Sequence, residues 1–195
     1  MISDNSARSQ DNTEITYRID AHDVLVEVAG DWNEFTAANG APEMRTDKVL
    51  NRPLWDFIHD DDTRQLHKSL LKRARGRHEM KGVPFRCDGP AIRRYMTMDI
   101  TLLEERSVLY RCRIVRTESR PSIDFFHNLH GRGDVLLSMC SWCNKVEMPN
   151  QTWQEIEEAV TQMGLLELPY PPRMTHAICD VCMVQLLGEE APAVP

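Results

Sequence analysis

No stretch of this 195-residue sequence approaches the roughly 20 consecutive apolar residues that a membrane-crossing helix needs. Its first residues, MISDNSARSQDNTE, contain no apolar segment of the kind a secretory signal carries. A soluble, cytoplasmic protein with no membrane partner is therefore expected. There is no Walker sequence, dinucleotide-binding glycine pattern, G-x-S-x-G or H-E-x-x-H, and no kinase-like phosphotransfer segment. Nothing nominates a catalytic centre, so a non-enzymatic protein is expected. Internal repeats and low-complexity tracts are also missing. Aromatic residues make up only 7%, yet apolar residues reach 42%, enough for a real core. The length suits one ordinary domain or two small ones.

Basic charge is scarce in the C-terminal part. Residues 138–195 hold 2 Lys and Arg against 8 Asp and Glu, whereas residues 15–118 hold 18 against 17. Non-specific nucleic-acid binding needs Lys and Arg to displace counterions, so nucleic acid is not an expected partner.

Residues 1–14 and 189–195 are polar or small and read as disordered ends. Tyr17 to Asp20 and Val24 to Val28 read as a strand pair, with Val24, Val26 and Val28 on one face by alternation. Asp31 can cap a helix whose apolar side is Trp32, Phe35 and Ala38, before Asn39-Gly40-Ala41-Pro42 breaks it. Leu54 to Ile58 is one apolar helical turn. One of Asp60, Asp61 and Asp62 caps a helix over Thr63 to Arg75 that buries Leu66, Leu70, Leu71 and Ala74, and Gly76 ends it. Three strands follow. Val83, Phe85 and Cys87 alternate in the first, then Met96, Met98, Ile100 and Leu102, then Val108, Tyr110, Cys112 and Ile114. One-faced alternation is the mark of an antiparallel sheet covered on one side.

The order strand, strand, short helices, three strands resembles the PAS domain. So do the Trp32, Asn33, Phe35 and Asn39 stretch and the segment LWDFIHDDD. The resemblance covers residues 15–118 and implies an α+β fold: a five-stranded antiparallel sheet with helices on one face. It implies a sensor that binds a small-molecule ligand or a signalling protein partner, and that can form a homodimer. A ligand pocket, if present, would draw on His67, Phe85, Arg94, Met96, Met98 and Tyr110. Haem-bearing PAS domains take their iron ligand from the helix that corresponds to the one carrying His67, although a lone His on such a face is more often simply packed. Arg94 shares the parity of Met96 and Met98, so it needs either an acidic partner such as Asp88 or Asp99 or an anionic ligand. Residues 119–137 read as a linker, in which Phe125, Phe126 and Leu129 could dock on a neighbour.

The strongest signal lies further on. Cys140 and Cys143 form one C-x-x-C pair, and Cys179 and Cys182 form another. In a reducing compartment, paired cysteines read first as metal ligands or redox centres. Each C-x-x-C brings two sulfurs to one ion from a tight turn, and two such turns complete a tetrahedral shell. Soft thiolates in a closed shell favour structural Zn2+. A dithiol switch and an iron–sulfur centre also use such residues. Position 144 is Asn and position 183 is Met, so neither pair is followed by the His that c-type haem attachment requires. Gln151 to Leu166 reads as a helix carrying Trp153, Ile156, Val160 and Met163, with Glu155, Glu157 and Glu158 near its positive end. A last helix over Val181 to Leu187 would place Cys179 and Cys182 in its first turn. The plan is that of a small treble-clef or ribbon-like zinc module over residues 138–188.

CSWCNKV, then Trp153 and a Glu-rich helix with Glu157, then THAICDVC resembles the cysteine-rich tail beside PAS or related sensor domains in some bacterial signalling proteins. Asn144 and Thr175 depart from its usual Lys and Ser, and the loop before His176 is longer. His176 is expected beside the shell of four sulfurs, as a hydrogen-bond donor to a ligand or a packed loop residue. The combined expectation is a bacterial signalling protein with a PAS-like unit and a zinc-stabilised interaction module. The alternatives are a redox or metal sensor using the Cys pairs and a zinc-dependent transcriptional regulator.

Overall fold

The computed structural model describes residues 13–76, 79–122 and 133–188. The expectations for 1–12, for Phe125, Phe126 and Leu129, and for 189–195 lie outside the described residues. The first unit opens with β1 (Glu14–Ile19) and β2 (Leu25–Gly30). Five helical pieces follow: α1 (Trp32–Ala38), a 3-10 turn at Pro42–Met44, α2 (Thr46–Val49), a 3-10 turn at Leu54–Phe57 and α3 (Asp61–Arg75). Then come β3 (Met80–Arg86), β4 (Ile92–Leu102) and β5 (Val108–Ser119). The five strands form one antiparallel sheet in the order β2-β1-β5-β4-β3.

Pairing puts Ile15 opposite Cys112, and Cys112 opposite Met98, so the alternating apolar residues share one face. That face and the stripe Leu66, Leu70, Leu71 and Ala74 of α3 lie in one buried cluster. Each fully buried Leu contributes about 1.5–3 kcal/mol, which outweighs the modest helix propensity of a 15-residue segment in isolation. Asp60 caps α3 by accepting the Thr63 amide at 2.7 Å, so the helix begins at Asp61 rather than at Thr63.

Two local expectations are corrected. Asp31 sits at the N-cap position of α1 but makes no capping bond; its carboxylate accepts the Glu14 amide at 3.1 Å instead. In β2 the buried residue is Leu25, while Val24, Val26 and Val28 are only half-buried. A register shift between Arg18 and Ile19 breaks the strict alternation there and sets Leu25 opposite Ile19.

The second unit holds β6 (Leu136–Cys140), β7 (Val146–Glu147), β8 (Trp153–Gln154), α4 (Ile156–Gln162), β9 (Arg173–Ala177) and α5 (Asp180–Leu187). Its strands order as β8-β7-β6-β9, with β9 parallel to β6. The helix expected over Gln151 to Leu166 is shorter. Trp153 is spent on a strand pair with Glu147, and Gly164 in the left-handed region (φ 61°) stops the chain from continuing helically. Leu137, Val146, Met148, Ile156, Ala159, Val160 and Leu165 form this unit's own core. No helix among the described residues is long and apolar enough to cross a membrane.

Candidate metal centre

Each cysteine pair is placed by local backbone chemistry. At the end of β6 the chain turns through Cys140-Ser141-Trp142-Cys143. The Asn144 amide donates to the Cys140 carbonyl at 2.8 Å, and the Cys140 amide to Lys145 at 2.8 Å. Closing that turn requires a left-handed residue, and Asn144 supplies it with φ 57°. Asn tolerates this region better than most residues with a side chain. Parallel pairing of β9 with β6 sets Ala177 opposite Cys140, which carries the chain to Cys179 at the N-cap of α5. Cys182 follows in the first helical turn.

The four Sγ atoms lie within 4.8 Å of one another. Cys143 Sγ and Cys179 Sγ are 3.8 Å apart. A tetrahedron with metal–sulfur bonds of about 2.3 Å has edges of about 3.8 Å, whereas a disulfide brings sulfurs to about 2.05 Å. All six cysteines are free. The arrangement can therefore hold one metal ion. The Cys179 amide points at Cys140 Sγ at 3.4 Å, a contact that favours thiolate. Cys140, Cys179 and Cys182 are buried, and Cys143 is half-buried.

The cysteines belong to the same apolar cluster as the first sheet and α3, together with Trp142 and Leu186. Trp142 makes the join. Its Nε1 donates to the Pro84 carbonyl at 2.5 Å, and its own carbonyl accepts the Arg86 amide at 2.9 Å. Its ring centre lies 5.3 Å from His67 and 6.2 Å from Phe85. On the other side, Arg73 donates to the Leu186 carbonyl at the end of α5, at 2.8 Å.

A charged network reinforces the join. Arg86 is 8% exposed and grips Asp88 and Glu155; its Nη1 reaches the two Glu155 oxygens at 2.7 and 3.0 Å. Burial works against the Arg86 charge, but the hydrogen bonds it donates to Asp88 and Glu155 outweigh it and raise its pKa above the ordinary value. Arg93 meets Glu157 at 2.6 Å, and Arg120 lies 3.4 Å from Glu157 and 3.6 Å from Asp88. Burial raises the Glu157 pKa, yet its own backbone amide, Arg93 and Arg120 together hold it below the ordinary value.

The expected pocket residues have separate fates. Met96, Met98 and Tyr110 are buried in the core, where Tyr110 stacks on Tyr17 at 4.5 Å. His67 and Phe85 flank Trp142, and burial pushes the His67 imidazole down to about 4. Arg94 alone of the six lines an open groove of about 420 Å³ beside Thr13, Asp31, Glu34, Phe35, Ala38 and Ile114. Its side chain is met by Asn39 Oδ1 at 2.6 Å and the Cys87 carbonyl at 3.3 Å, and Asp88 takes only its backbone amide. The buried guanidinium of the region is thus Arg86 rather than Arg94. His176 is exposed on β9, in register with Met139 and outside the cysteine cluster. Burial pushes the Cys112 thiol up to about 12, and Cys87 also upward, as befits packed thiols.

Sequence reading missed the partners of Arg86 and Arg93, because Glu155 and Glu157 had a sufficient local explanation at a helix N-terminus. The one available signal was the uneven charge: residues 138–195 carry 8 Asp and Glu against 2 Lys and Arg, an acidic excess that the nearly balanced residues 15–118 do not share. Compared with known proteins, the chain matches no protein-family model and no curated protein.

Proposed function

We propose that the chain is a non-enzymatic signalling protein of bacterial, cytoplasmic type. In this reading a PAS-like unit receives a small ligand or a protein partner, and a treble-clef-like module is held by one structural zinc ion. The observation that carries the reading is the cluster of four thiols within 4.8 Å, with a tetrahedron-edge spacing of 3.8 Å. Four thiolates close the coordination shell, so the ion cross-links two turns and activates no water. Its binding energy is folding energy. The element order and the five-stranded antiparallel sheet with helices inserted after β2 support the PAS-like part. A hairpin-borne cysteine pair joined to a helix-start pair supports the treble-clef part. The groove beside Arg94, whose lining carries both signs of charge, is the place proposed for a small ligand.

Native mass spectrometry of freshly purified protein tests this reading. One zinc per chain is expected, with any retained small molecule and the subunit number read from the same spectrum. A metal-free chain would contradict it.

A second reading, a redox or metal sensor, is favoured by one observation: Cys143 is the ligand left half-buried. Thiol titration under mild oxidant separates the two. Protected, inert thiols speak for the structural role, and zinc release with thiol loss speaks for the sensor.

A further inference from the structure

Among the described residues β3 is an edge strand, with β4 on one side and no strand on the other. An edge with open N–H and C=O groups is a template for a further strand. Here the edge is closed by the cysteine turn itself. The Pro84 carbonyl and the Arg86 amide, two residues apart and therefore on the same side of the strand, are both satisfied by Trp142. Trp142 is 5% exposed and lies between the two cysteines of one pair.

We infer that the metal centre is a latch on the first sheet: metal occupancy decides whether the β3 edge is closed or open. The inference rests on reading the four cysteines as a metal site. Its physical basis is that the turn's ties are few. Apart from the hairpin bonds of Cys140 and Asn144, the turn is tied to its own unit by the Ser141 amide on Ala177 at 2.9 Å and by its two sulfurs, and to β3 by the two Trp142 bonds alone. Without a cation, the four thiols no longer bind the turn to the start of α5. The turn then swings with Trp142 on it. Pro84 and Arg86 lose their partners together, and the slot beside His67 and Phe85 empties. Linkage makes the coupling reciprocal, so weakening the Trp142 contacts lowers metal affinity.

Hydrogen exchange on the full chain, metal-loaded and then stripped with a chelator, tests this. Exchange at the Arg86 amide is expected to rise tenfold or more on stripping, while the Met98 amide inside the β4 ladder stays protected. Trp142→Phe, which keeps the ring but removes the Nε1 donor, gives a second reading with the metal still bound. Arg86 exchange should rise about fivefold, the equivalent of one hydrogen bond, and zinc should pass to a competing chelator more readily. A chain that loads zinc yet keeps Arg86 equally protected after stripping, or in Trp142→Phe, overturns the latch and leaves the metal site standing. A chain that takes up no metal overturns both.

Discussion

Truncating Arg86 would leave Asp88 and Glu155 without the cation they share, in a setting where Asp88 is only 5% exposed. A buried ion pair is poor evidence of net stability, but removing one partner is costly, about 3–5 kcal/mol. Arg86→Ala should therefore lose stability of that order in urea titration. Double replacement of Arg86 and Asp88 by apolar residues should lose less than the single change. His67 acts in the opposite electrostatic sense. Its folded pKa of about 4 lies below the ordinary 6.5, so the unfolded chain binds the proton more readily. The neutral ring's contribution is complete above about 6.5 and is lost as pH falls toward 4. Stability measured across that window should fall more steeply for the native chain than for His67→Leu. Equal slopes would show that the imidazole is not held neutral by its packing against Trp142.

The cysteine turn depends on one backbone conformation. Asn144 at φ 57° can be replaced by Gly with little loss, whereas Val should cost about 1–2 kcal/mol and weaken zinc retention in a chelator competition. Elements governed by such local rules were legible in the sequence. The capping of α3 by one Asp of the run Asp60, Asp61 and Asp62, its Leu stripe, the alternation of β4 and β5 and the four cysteines all follow from spacing of one kind or another; that the cap is Asp60 is set by the fold. The misses are tertiary. Trp153 has helical spacing with Ile156 and Val160, yet strand pairing with Glu147 captures it. Leu25 faces inward because Val26 is an extra, unpaired residue in β2 where β1 steps from Arg18 to Ile19, and only the pairing with β1 reveals it. Trp142 reads as part of a motif, but its role on the β3 edge depends on a contact across 58 residues.

The described residues form two cores, and the cysteines lie in or against the one that includes the first sheet. Metal binding at residues 140–182 should therefore stabilise more than its own turns. In the zinc-loaded chain, unfolding followed by tryptophan emission and by backbone circular dichroism should give one coincident transition. Chelation should split it, the second unit melting first while the five-stranded sheet persists. Coincident transitions before and after chelation would show that the ion does not couple the units.

X-ray absorption at the zinc edge of the intact protein is the most direct test of the central claim. Four sulfur neighbours at about 2.3 Å, with no nitrogen or oxygen in the shell, are the predicted result. A shell containing nitrogen or oxygen, or no zinc signal at all, would contradict the closed four-thiolate centre on which the account is built.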